Sequence, residues 1–336
     1  MATQDGTSSE RECNAGTTKE VFRRVKENPI LTARDLSFRA GAVLNPGAVE
    51  HDGQIILLVR VEDVEGRSNI HVARSRDGVT DWRVETKPLL RHGEEGYEYE
   101  TWGCEDARVT YVADENRWYI TYVAYSSMGP AVGIARTTDF VSAERVCLLG
   151  STNDKDGALF PQKFGARWAI LHRPDAGGGE HIWSAYSPDL IHWGEPHCVL
   201  REGDGPAWDG VKVGAGPPPI LTDEGWLLLF HGVKAYGGRL VYRVGAALLD
   251  ADRPHKVLAR HPGAIFQAEA SYEISGTVPN VVFPTGVIVR GDELWMYYGA
   301  ADTYVCLAKA KLADILNTVV PAGPHDGTPA SSAERR

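Results

Sequence analysis

Trp118-Tyr119-Ile120-Thr121-Tyr122-Val123-Ala124-Tyr125, a short turn, then Ala131-Val132-Gly133-Ile134-Ala135-Arg136-Thr137 is the stretch that decides the fold. Both halves are rich in β-branched and aromatic residues, as half-buried strands are. The same two-strand phrase returns five times. Its first members are Gln54–Arg60, Trp118–Tyr125, Trp168–Arg173, Trp226–His231 and Leu294–Tyr298. Their partners are Asn69–Ser75, Ala131–Thr137, His181–Ser187, Val241–Leu249 and Tyr304–Ala310. Each partner strand carries an alanine (Ala73, Ala135, Ala185, Ala247, Ala308), at spacings of 62, 50, 62 and 61 residues. Short strands with Gly, Asp and Pro turns, repeating at this period, predict an all-β chain, a five-bladed β-propeller with short flanking helices.

The repeat spans about residues 40 to 312 of 336, which favours one domain (18–320) over the two that length alone would allow. Residues 1–17 and 321–336 are rich in small, polar and charged residues and are expected to be disordered tails. Lys19–Glu27 and Lys309–Asn317 are expected to be the short helices. Apolar residues at 43% suffice for a core, and no run approaches the roughly 18 needed to span a membrane. Five scattered cysteines without a CxxC pair suit a reducing compartment, so a cytoplasmic location is expected. A net charge of −10 argues against nucleic acid or an anionic membrane as partner. Homo-oligomerisation is left open. No histidine spacing suggests a transition metal, and no cofactor is expected.

Each repeat also needs a strand upstream of the two named. These begin near Asn45, Asp106, Asp156, Lys212 and Asn280, which lie 28, 29, 29, 35 and 28 residues before the repeat alanines. In a propeller such strands line the channel, and the antiparallel second strands end where the first began. Arg60, Tyr125, His172–Arg173, His231 and, just past the fifth, Asp302 should therefore share one mouth with Asp106 and Asp156. That mouth gathers carboxylates (Asp106, Asp156, Asp302) and cations or donors (Arg60, Lys155, Arg173, Lys212, His231), with Tyr242 opening the next strand. A buried cation without compensation costs several kcal/mol or so, so the cluster calls for carboxylates, a bound anion, or both. Charge-assisted bonds to an oxyanion contribute about 1.5–3 kcal/mol each. The chemistry suggested is a sugar-sized polar ligand beside an oxyanion.

Plainer readings stand beside these. Asp106 could pair with Arg108 two residues along, Arg173 with a local carboxylate, and His231 could be a satisfied structural histidine. Lys212 could be a solvated loop lysine, and Tyr242 part of the core. Trp118, Trp168, Trp226 and Trp295 read as packing, and Asp77, Asp139 and Asp189 as turn residues.

Several ordered motifs carry a resemblance. They are Trp102-Gly103-Cys104-Glu105-Asp106-Ala107-Arg108, Asp154-Lys155-Asp156-Gly157-Ala158-Leu159-Phe160-Pro161 and His172-Arg173-Pro174. Lys212-Val213-Gly214 through Pro217-Pro218-Pro219, Phe230-His231-Gly232, Tyr242-Arg243-Val244-Gly245 and Tyr297-Tyr298-Gly299-Ala300-Ala301-Asp302 follow. From about residue 28 to 316 the chain resembles the β-mannoside phosphorylases of glycoside hydrolase family 130, a family of five-bladed propellers. The resemblance implies inverting phosphorolysis of a β-mannoside by inorganic phosphate, giving α-mannose 1-phosphate. It implies Asp106 as proton donor, acting through the mannose 3-hydroxyl. Arg173, Lys212, His231 and Tyr242 match phosphate-binding positions, with Lys155 where some members have arginine. Asn45, Arg60 and Asp302 match residues that hold the mannosyl unit, and Asp156 is grouped with the substrate-binding residues. The motifs stand nearest the branch acting on β-1,4-mannooligosaccharides and mannosyl-N-acetylglucosamine. Aglycone contacts fall on variable loops, which leaves acceptor and linkage open. Alternatives are an inverting β-mannoside hydrolase on the same fold, or a non-catalytic sugar-binding propeller. A hydrolase needs a second carboxylate to activate water, whereas phosphate needs only positioning and charge neutralisation.

Overall fold

The computed structural model describes residues 21–322 except 151, 176, 178 and 204–206; the expected tails at 1–17 and from 323 onward lie outside the described residues. The fold is all-β, with two short α-helices among the described residues, Ser271–Ile274 and Leu312–Leu316. Five antiparallel three-strand meanders follow one another. They are Ala42–His51, Gln54–Glu62 and Ser68–Ser75; Gly103–Val112, Arg117–Ser126 and Gly129–Thr137; and Asp154–Leu159, Trp168–Pro174 and Ile182–Ser187. The fourth has Lys212–Ala215, Gly225–Tyr236 and Arg239–Leu249, and the fifth Val282–Arg290, Glu293–Ala300 and Tyr304–Lys311. The first two units are joined into one sheet by the parallel pairing of Ser68 with Gly103.

Every middle strand is covered on both faces, which is why it reads as a continuous apolar run (Ile55–Val59, Leu227–Phe230) rather than an alternating one. Five apolar clusters fill the spaces between units. Ile56 and Leu58 meet Ile120 and Tyr122, and Tyr119 and Ile134 meet Trp168 and Ile170. Leu171 meets Trp226 and Phe230, and Leu229 and Val244 meet Met296 and Tyr298. Leu57 and Val59 then meet Tyr297 and Leu307, which packs the fifth unit against the first. Each fully buried side chain of this kind contributes about 1.5–3 kcal/mol. Trp168, Trp226 and Trp295 are buried in these layers. Asp77, Asp139 and Asp189 each accept two backbone N–H bonds from the turn that follows them.

The N-terminal helix expected over Lys19–Glu27 does not form in the described part. Arg23–Arg24 is instead an edge strand, Arg23 facing Lys309 and Arg24 facing Ala308. The last meander would otherwise present an unpaired edge, and Arg24 is held there by Glu273, with Nε to Oε1 at 2.8 Å. In the expected C-terminal helix, Lys309–Lys311 continues the strand and only Leu312–Leu316 is helical. Val320 pairs with Arg260, and Pro321, the first residue of the expected C-terminal tail, is ordered in the same strand against Ala259.

Candidate active site

The upstream strands hold the site through a shared irregularity. Asn45, Asp106 and Asp156 all have positive φ (45°, 51° and 57°), and each lies in a register slip: between Leu44 and Gly47, Glu105 and Arg108, Lys155 and Ala158. Such bulges re-aim a side chain and recur at functional sites, and Asn and Asp tolerate the left-handed conformation better than most residues. The expected fivefold position thus holds in three units. In the fourth, Lys212 faces Val233, five residues past Leu228, which faces Ala247. Glu105 faces Val123, only three past Ile120, which faces Ala135, so Lys212 lies two residues further out. In the fifth, Asn280 precedes the strand and the slip falls at Thr285.

Around Asp106 the structure brings together Asn45 and Arg60. Asn45 Nδ2 donates to Asp106 Oδ1 at 2.8 Å, and Arg60 Nη1 lies 3.3 Å from the same oxygen. Asn45 Oδ1 is buried without a hydrogen-bond partner among the described residues. Gly299 makes room for it: a Cβ there would sit 1.8 Å from that oxygen. Arg60 also approaches Glu105 (3.1 Å) and Glu62 (3.4 Å) and donates to Ser68 Oγ (2.8 Å). Burial opposes its charge, but Asp106, Glu105 and Glu62 outweigh that and hold the guanidinium above its ordinary value. Asp302, in the turn after Ala300, also has positive φ (46°). Burial first, then the neighbouring Asp106 charge, pushes its carboxyl up to about 6, against Arg60. Glu105 is raised too, by burial.

The second half is built on Asp156. Its carboxylate is buried between Arg108 Nη2 (2.9 Å to Oδ1), Arg173 Nε (3.0 Å to Oδ2) and His231 Nε2 (3.6 Å to Oδ2). Burial would raise its pKa, but the Arg173 and Arg108 guanidiniums hold it well below the usual carboxylate range. Gly214 is required beside it, since a Cβ would come within 2.2 Å of Asp156 Oδ2. The His231 ring is fully buried against Phe283, centroids 4.6 Å apart, and among the described residues neither ring nitrogen has a hydrogen-bond partner. Burial lowers its pKa to about 3, so the imidazole is neutral. Burial and the Arg173 charge lower Lys212, and burial pushes the Tyr242 phenol up to about 12. Lys212 Nζ lies 5.7 Å from the Tyr242 ring centre. Lys155 faces Arg173 across the strand pair and makes no ion pair among the described residues.

Arg108 joins the halves: its Nη1 donates to the Asp106 carbonyl (3.0 Å) while Nη2 holds Asp156. The carboxylate of Asp106 therefore pairs with Arg60, not with Arg108. The local-carboxylate reading of Arg173 describes part of its surroundings, since it meets Asp156 and, through Nη1 at 3.0 Å, Glu180. Asp156 has its oxygens turned on these partners, which makes it a positioning carboxylate rather than an open sugar contact. Sequence reasoning missed Glu105 and Glu180. The surplus of cations over carboxylates in the mouth was the signal that further acids had to be nearby. Among the described residues, no group of three or more His, Cys, Asp and Glu could hold a metal ion.

One acid beside a sugar-sized polar shell, next to a cationic cluster with unsatisfied donors, is suited to moving a glycosyl group between an alcohol and an oxyanion. Known proteins agree with that chemistry. The profile of a family described as beta-1,4-mannooligosaccharide phosphorylase matches residues 15–320. A beta-1,2-mannobiose phosphorylase of Listeria innocua is 33% identical, covering 88% of this chain and 97% of that protein. A beta-1,4-mannooligosaccharide phosphorylase of Ruminococcus albus is 32% identical, covering 90% and 91%. A solved structure of the Listeria innocua enzyme in complex with beta-1,2-mannobiose superposes with a TM-score of 0.79, at 32% identity over 88% of this chain and 98% of that one. With the profile covering nearly the whole chain and relatives above 30% identity along most of it, the chain belongs to glycoside hydrolase family 130.

Proposed function

We propose that the chain is a β-mannoside phosphorylase working as a five-bladed propeller, with the site at the channel mouth. The ring-like succession of packed units, the fifth against the first, supports the propeller reading. Phosphate, held by Arg173, Lys212, His231 and Tyr242, attacks the anomeric carbon of the mannosyl unit held by Asn45, Arg60 and Asp302. The C1–O bond to the aglycone breaks as the C1–O bond to phosphate forms on the opposite face. The Asp106 proton passes through the mannose 3-hydroxyl to the departing oxygen, and α-mannose 1-phosphate results. Lys155 adds positive charge at the edge of the anion site. The observation that carries this reading is the buried cluster of Arg173 and His231, whose Nε, Nη1 and ring nitrogens lack aligned partners, beside an Asp106 already held by two donors. The relatives act on both 1,2 and 1,4 linkages. We favour β-1,4-mannooligosaccharides or mannosyl-N-acetylglucosamine, on the motifs quoted above. The free cysteines Cys104, Cys147, Cys198 and Cys306 suit a reducing cytoplasm.

Incubation with β-1,4- and β-1,2-mannobiose, with and without phosphate, tests reaction and linkage together. Mannose 1-phosphate formed only with phosphate is expected, faster from the 1,4 disaccharide. In reverse, phosphate release from α-mannose 1-phosphate with mannose, N-acetylglucosamine or glucose ranks the acceptors. Free mannose at equal rates with and without phosphate would replace this reading by the hydrolase.

A further inference from the structure

Glu180 is the one carboxylate that touches both cations at the outer edge of the anion site among the described residues. Its Oε2 lies 3.0 Å from Arg173 Nη1 and its Oε1 3.8 Å from Lys212 Nζ. Two oxygens of one group thus bridge the two charges, as two oxygens of a phosphate would. The contrast with Asp156 is instructive. Asp156 is sealed in, at 3% exposure, whereas the Glu180 side chain is 33% exposed. The Glu180 backbone is fixed by the Val213 N–H, which donates to its carbonyl at 3.0 Å, but among the described residues the side chain has no anchor besides the cations. Arg173 is buried, and neither its Nε nor its Nη1 is aligned on an acceptor despite the short distances. Its donors are neutralised but not satisfied.

Charge points the same way. Arg108, Arg173, Lys212 and, at the edge, Lys155 bring four positive charges, and Asp156 and Glu180 two negative ones, while His231 is neutral. The cluster is therefore positive even with Glu180 in place, and displacing Glu180 adds one more positive charge for an incoming anion to meet.

We propose that Glu180 is a built-in competitor for the anion site. It neutralises Arg173 and Lys212 while the site is empty, and an incoming tetrahedral dianion must displace it. The proposal rests on the phosphorolytic reading for its biological meaning. Its physical content is that Glu180 weakens oxyanion binding and so sets the phosphate concentration at which the enzyme works. A monoanion brings less charge to these cations than a dianion and so displaces Glu180 poorly, which favours phosphate over abundant monocarboxylates.

The test is titration calorimetry of the full chain with inorganic phosphate and with sulfate, followed by phosphate KM at saturating mannobiose. Glu180→Gln keeps the shape and removes the charge. It should tighten phosphate and sulfate binding roughly 3- to 30-fold, as expected for a partly exposed charged contact, with phosphate KM falling in step. Glu180→Ala should do the same, and mannobiose KM in both variants should stay within about twofold. Weaker or unchanged anion binding in both variants overturns the proposal, because loss of a positioning group acts in that direction. Failure of the phosphorolytic reading shows separately, as wild-type turnover indifferent to phosphate, while the calorimetry still decides what Glu180 does.

Discussion

Arg108 and Asp156 form a buried ion pair, Nη2 to Oδ1 at 2.9 Å, and the same guanidinium donates to the Asp106 carbonyl at 3.0 Å. The strand bearing Asp106 and the strand bearing Asp156 are therefore locked together by one side chain.

Removing the charge at that joint should be costly. Asp156→Asn leaves Arg108 and Arg173 without a full counter-charge, a loss of about 3–5 kcal/mol for a broken buried pair. Because the folded pKa of Asp156 is depressed, its contribution is present above the unfolded value of about 3.9 and is lost as pH falls below it. Thermal melts from pH 3 to 8 should show the variant's full deficit above about pH 4 and the start of its decline toward pH 3. A constant deficit would remove Asp156 from this role.

Asp106→Asn should abolish turnover in both directions, by about 10²–10⁴-fold or more, while phosphate binding persists. Asn45 and Arg60 keep a side chain to hold, so the fold should survive. Near-normal activity would move the acid elsewhere, with Asp302 the first place to look.

Arg173 and His231 should differ in degree. Arg173→Ala deletes a charge and is expected to raise phosphate KM roughly 10- to 150-fold. The neutral His231 supplies only an uncharged hydrogen bond, so His231→Ala should raise it less, about 2- to 15-fold. Sugar KM is the control, and a change there alone would take both residues out of the anion site.

Asp302 gives a pH signature of opposite sign. Its pKa is raised to about 6 in the fold, so the neutral carboxyl favours folding fully below about pH 4 and that advantage is lost as pH rises through 6. Asp302→Asn should therefore gain stability relative to wild type between pH 4 and 7, as mannosyl binding weakens. Melting curves with a pH-independent difference would contradict this.

Gly299→Ala places a methyl where Asn45 Oδ1 now sits, 1.8 Å away. Loss of the Asn45–Asp106 hydrogen bond should raise sugar KM and lower kcat, with phosphate affinity spared. Wild-type kinetics would mean that Asn45 does not position the acid.

The repeat was legible because burial on both faces writes long apolar runs into every middle strand. Asp106, Arg173 and His231 could be placed near one another because antiparallel strands return to the same end. The counting failed at Lys212 and Asn280, where strand length and the position of the bulge differ from the other units. Glu180 lies in a loop with no periodicity, and only its charge could have suggested it. The edge strand at Arg23–Arg24 was invisible for another reason: two residues carry no period, and what orders them is a vacant sheet edge nearly three hundred residues away.

That edge strand has a consequence for the order in which the molecule assembles. Arg23 and Arg24 find Lys309 and Ala308 only after almost all of the chain has been made. A contact of such separation closes late, because loop-closure entropy must be met before it stabilises anything. Until then the last sheet lacks its outer strand and Glu273 lacks the arginine that neutralises it. The edge strand at Arg23–Arg24 is thus a clasp fastened late, and a bulky fusion placed close before Val21 would burden assembly more than the same fusion placed after residue 322.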